Sequence, residues 1–172
     1  ATGGAPSAPN APAEAVPAEP AEPFDPAHPT AAGMRWTAPA SFAFHTPESE
    51  MRRAEYVVGR AGDADVTMTV FHFPGMGGGI DANVTRWLGQ FTQPDGRSTL
   101  SVARVGTQMA GALRVTTVDV TGHFEGGTMG GGNGDDYRML AAIAEAPRGP
   151  VFFKLVGPRS VVDASEAGFR EL

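Results

Sequence analysis

Three groups of residues have types and spacings that could do chemistry. The segment Phe73–Asp81 runs from a strand through a Gly-rich loop into a helix, which is the setting of a phosphate cradle. Gly75 and Gly77 occupy the first two glycine positions of a dinucleotide fingerprint, but Ile80 stands at the third and no Gly-Lys-Ser/Thr follows. The loop is therefore read as a flexible connection, or as a surface offered to a partner backbone, and not as a nucleotide site. In the second group, His123, Glu125, Asp135 and Asp136 bracket the glycines of 126–134. Oxygen ligands of that kind suit Ca²⁺, yet the calcium-hand spacing is missing and mobile glycines make such a site costly to order. The third group is the remaining histidines, His28, His45 and His72, with the serines Ser98, Ser101 and Ser160. No second His stands at metal spacing, and no serine sits in an elbow motif. His72 ends a strand, where a bond to backbone is the expected state. With no cysteine in the chain, thiolate nucleophiles, disulfides, Cys-bound zinc and iron–sulfur clusters are excluded. No catalytic residue, metal or cofactor is assigned.

The elements that would position these groups follow from periodicity. Met34–Thr37 and Ser41–Phe44 read as short strands around Ala38-Pro39, and Met51–Gly59 as a longer one ending at the acidic turn Gly62–Asp65. Val66–Phe73 alternates apolar residues with threonine. Asp81 is placed to cap a helix over 82–91, whose Val84, Trp87, Leu88 and Phe91 form one apolar stripe while Arg86 and Gln90 face away. Leu100–Val105 and Leu113–Val120 read as strands. In the second the apolar set shifts from odd to even positions, which a bulge near Thr116-Thr117 would explain. The Ala-Leu-Met content of Tyr137–Ala146 favours a helix, yet a hairpin with Val151–Val156 across Pro147–Pro150 uses both halves and strand is preferred; 161–172 reads as a closing helix with Val162, Phe169 and Leu172 inward. Trp36 and Trp87 are assigned to the core, Met76, Met109, Met129 and Met139 to core or loops, and Arg52-Arg53 to a solvated strand edge. The resulting class is α+β, a central, mostly antiparallel sheet flanked by helices.

Eight of the 15 prolines lie between Pro6 and Pro29, most of them three residues apart, in a stretch with no Lys or Arg and four acids. Residues 1–33 are thus read as an extended, acidic Pro/Ala-rich arm, and 34–172 as one domain. The net charge is −6, which removes nucleic acid from the partners expected. No run of apolar residues is long enough to span a bilayer. The start Ala-Thr-Gly-Gly fits an exported, periplasmic protein whose signal peptide has been removed. Arginine outnumbers the single lysine, Lys154, twelve to one, taken as base composition.

The order of Arg35-Trp36 with Pro39 and Phe42, the strands 51–58 and 66–73, the helix with Asn83, Arg86, Trp87 and Phe91, the hairpin at 147–150, Phe153–Pro158 and a final helix carrying Phe169 resembles the PsbP-like superfamily. That resemblance covers about 34–172. It implies a non-enzymatic extrinsic subunit that docks on the periplasmic side of a larger membrane complex, in its most specific form a photosynthetic reaction centre–light-harvesting complex. The partners expected are other protein subunits, with no small-molecule substrate identified. Contact residues are placed on the arm, at Pro17, Pro20, Pro23, Phe24, Pro26 and Pro29, and on the Gly-rich loops, at Gly75, Met76, Gly77 and Met129. The alternative is a periplasmic carrier that binds a small ligand or metal in the cleft between the sheet and helix 82–91.

Overall fold

A computed structural model describes residues 23–73, 78–126 and 132–172. Two residue pairs, β1 (Thr30–Ala31) and β2 (Met34–Arg35), make a small hairpin turned by Ala32 and Gly33, both at positive φ. Next come β3 (Ala43–His45), β4 (Arg52–Ala61) and β5 (Ala64–His72), the last two joined across Gly62. Helix α1 (Ile80–Leu88) precedes β6 (Phe91–Thr92), and a single helical turn, α2 (Thr99–Val102), precedes β7 (Arg104–Ala110). The chain then runs through three long strands, β8 (Leu113–Glu125), β9 (Asn133–Ala146) and β10 (Gly149–Pro158), and ends in α3 (Arg159–Arg170). The eight-stranded sheet has the order β3-β4-β5-β10-β9-β8-β6, with β7 also paired to β8. All its described pairings are antiparallel.

Each face of this sheet carries a helix and its own core. On one face α3 brings Val162 against Tyr56, Met68, Leu140 and Leu155, with Trp36 and Phe42 beside them. On the other face α1 brings Val84, Trp87 and Leu88 against Val118, Met139, Ile143 and Phe152. Each such side chain contributes about 1.5–3 kcal/mol when fully buried. Both tryptophans are thus core residues, one per face.

Two cores on one sheet explain why Leu113–Val120 changes its apolar parity. Val115 points to the α3 side and Val118 and Val120 to the α1 side. No bulge is needed at Thr116-Thr117, which pair in register with Ile143 and Ala142; the irregularity in β8 lies between Gly122 and Phe124. The strand expected over Leu100–Val105 is also corrected, because its first half is helical. The hydroxyls of Thr99 and Ser101 donate to the carbonyls of Phe91 and Ser98, at 2.8 and 2.6 Å, and hold the turn. Helix α1 starts two residues early, with Gly79 as its N-cap and Asp81 in its first turn, and stops at Leu88. The hairpin β9–β10 closes at Ala146↔Gly149, as the Pro147–Pro150 turn suggested.

Parts of the described chain before residue 34 pack on the domain. Ala31 and Ala32 are buried, and Phe24 stacks on Phe44 with ring centroids 5.3 Å apart, under the Arg53 guanidinium. Arg53 Nε donates to the Thr30 carbonyl, and the Arg148 amide donates to that of Ala32, both at 2.9 Å.

Candidate functional site

Helix α1 covers only part of its face of the sheet. It stands over β8, β9 and the near side of β10 and leaves the β5 side open, so a cleft of about 850 Å³ lies between them. A volume of that size suits a drug-sized ligand. Its floor is set by strand alternation. Phe71 and Thr69 on β5 pair with Phe152 and Lys154 on β10, and all four side chains point to the α1 side. Trp87 and Phe73 complete an apolar wall, with the Trp87 and Phe152 rings edge-to-face at 6.0 Å.

One charged group lies among them. Lys154 sits mid-strand between Phe152 and Val156 in a central strand. Its ammonium donates to Gln90 Oε1 at 3.0 Å and lies 5.6 Å from the centre of the Trp87 ring. Burial pushes its pKa down to about 8, and the nearby Arg86 guanidinium pushes the same way. Among the described residues no carboxylate stands within ion-pair reach of Lys154. Asp65, at the far rim, is held by Arg60 at 3.3 Å, and Glu55 by Arg52 and His45. Arg86 donates to Asn83 Oδ1, and Asn83 Nδ2 donates to the Gly79 carbonyl, which fixes the start of the helix wall. The cleft therefore presents an apolar, aromatic surface and a positive potential at its floor. No buried side-chain nitrogen or oxygen among the described residues lacks a hydrogen-bond partner.

No protein-family model matches this chain, and no curated protein matches it.

The residues singled out from sequence fall elsewhere. Pro17, Pro20, Gly75, Met76, Gly77 and Met129 lie outside the described residues. Phe24 is half-buried on its own domain, while Pro23, Pro26 and Pro29 flank it; Pro29 is buried and accepts from the Trp36 amide at 3.3 Å. The structure does bring His123, Glu125 and Asp135 together, at 2.7 Å for His123–Asp135 and 3.6 Å for His123–Glu125, but Asp136 turns to Arg159. Among the described residues no group of three or more is placed to hold a metal. His72 Nδ1 bonds the Pro150 carbonyl at 3.1 Å, a backbone tie as expected. Arg86 and Gln90, assigned to the outer face of the helix, instead line the cleft. Leu88 ends the helix, so Gln90 leaves the helical projection and turns back toward the sheet.

A second, polar notch of about 470 Å³ lies beside α3. There Arg138 makes paired bonds to Asp119, at 2.9 and 2.8 Å, and further bonds to Asp163 and Glu166. Asp119 chiefly, then Glu166 and Asp163, hold the guanidinium above its ordinary pKa, and Arg138 with Arg170 lowers that of Glu166. Its charges satisfy one another, and the cluster ties α3 to the sheet.

Proposed function

We propose that the protein is a non-enzymatic carrier that binds a small apolar molecule ending in an anionic group, such as a carboxylate, in the cleft between α1 and the sheet. The observation that carries this reading is Lys154, a largely buried ammonium with no carboxylate partner among the described residues, on the floor of an aromatic cleft. A buried charge is costly unless paired, and a ligand carboxylate would supply the missing counter-ion. Lysine suits the place better than arginine because its charge is compact and fits between Phe152 and Val156. Phe71, Phe73 and Trp87 would take the apolar body of the ligand.

A periplasmic location fits such a carrier, and no described helix is long and apolar enough to cross a membrane. The mostly antiparallel sheet lying between helices is the coarse α+β class expected of a PsbP-like domain. The docking-subunit reading leans on the arm, whose residues 1–22 lie outside the described chain, so the cleft takes precedence.

The test is titration of the full chain with dodecanoate and with the matched neutral probe dodecanol, read by tryptophan fluorescence. Trp87 lines the cleft, and Trp36 lies in the opposite core as an internal control. A saturable response to dodecanoate, stronger than to dodecanol and lost in Lys154→Met, is expected. Equal binding of the two probes, or none, would overturn the proposal.

A further inference from the structure

The edge of the sheet formed by β7 points to a second copy of this chain. All seven residues of β7 are exposed, so neither helix layer reaches it. Its pairing with β8 is unbroken from Arg104↔Asp119 to Ala110↔Leu113, with no bulge. The strand contains no proline and no lysine, and its one charge, Arg104, stands at its end. These are the protections that edge strands ordinarily carry, and β7 lacks them. The opposite edge, β3, is only three residues long. Among the described residues four large apolar side chains are exposed, and three of them, Leu100, Val105 and Met109, lie on or beside β7.

The register tells which backbone groups are free. Ala110 and Leu113 flank a two-residue turn that begins with Gly111 at φ 61°, so they form the hydrogen-bonded closing pair. Alternation then directs the amides and carbonyls of Arg104, Gly106, Gln108 and Ala110 toward β8. Those of Val105, Thr107 and Met109 point outward.

We infer that two copies pair antiparallel through β7, about a two-fold axis at Thr107, to make one continuous sheet. The pattern is self-complementary. Thr107 meets its own copy, Val105 meets Met109 of the other chain, and about six backbone hydrogen bonds form. The apolar side chains then cover one another, and Arg104 lies opposite Ala110 and far from its own copy. None of the seven residues is acidic, so the chain's net charge of −6 is not concentrated at the seam. The Pro/Ala-rich arm is a poor occupant by comparison, because proline lacks the donor that strand addition needs.

The test uses light scattering of the full chain at high micromolar concentration. The wild type should run at twice the chain mass, and Thr107→Pro at the chain mass. Proline is tolerated there because the Thr107 amide faces away from β8, and circular dichroism should confirm an unchanged fold. Since the chain has no cysteine, Thr107→Cys should give a disulfide-linked dimer on mild oxidation. A monomeric wild type overturns the inference. So does a dimer that survives Thr107→Pro, or oxidised Thr107→Cys that stays monomeric.

Discussion

Lys154 on β10 reaches across the sheet face to Gln90, just past the end of α1, and bonds its side-chain oxygen at 3.0 Å. That bond gives the ammonium a neutral acceptor and leaves its charge unpaired within the described chain. The consequences are electrostatic and can be measured.

Anion binding should weaken as pH rises through about 8. Below that value Lys154 is already charged in the free protein and affinity is full. Above it, binding must take up a proton, and affinity falls about tenfold per pH unit for a single linked group. Dodecanoate titrations between pH 6.5 and 9.5 check this, and a flat profile contradicts it.

The same group sets a stability profile. The folded pKa of Lys154 lies below the unfolded value of 10.5, so the unfolded chain holds the extra proton between them. Stability should therefore rise from pH 8 to 10. Tyr56, whose pKa burial raises above 10.0, acts only beyond that range and in the opposite sense. Lys154→Met should remove the rise and be more stable near pH 7 by about 3 kcal/mol, since a shift of one pKa unit is worth about 1.4 kcal/mol. Urea unfolding at several pH values reads both effects.

Arg138→Met should destabilise by about 3 kcal/mol, because it leaves Asp119, Asp163 and Glu166 facing one another without their cation. The side chain is only 11% exposed, so water does little to screen the loss. Arg170→Ala, which removes an exposed pair with Glu166, should cost under about 0.5 kcal/mol. Denaturant midpoints separate the two.

Phe24→Ala should cost about 1–2 kcal/mol through its lost contacts with Phe44, Trp36 and Arg53. Removal of residues 1–33 should cost more, since it also takes away β1 and the buried Ala31 and Ala32. At about 2–4 °C per kcal/mol the loss is visible in a thermal melt. A truncation meant to test the arm as a contact region must end before Phe24.

The long strands and both flanking helices were legible because their signals are local. Alternation marks β5, the proline–glycine turn marks the β9–β10 hairpin, and the spacing of Val84, Trp87 and Leu88 marks α1. The cleft was less legible because it joins residues far apart in sequence: Gln90 meets Lys154 across 64 positions. One local signal did exist. Lys154 is a charge in the middle of an otherwise apolar strand, and it is the only lysine in a chain with twelve arginines. The helix at Thr99–Val102 was hidden because Leu100 and Val102 imitate strand alternation, while the hydroxyls that hold the turn act through distant or preceding carbonyls.

A lone lysine in a central strand also makes the chain its own unfolding gauge. A lysine-specific protease finds one cleavage point, with β5 and β9 paired on either side of it. It can cut only after the sheet has come apart there, so the rate of that single cut counts openings of the molecule's middle and ignores fraying at its ends.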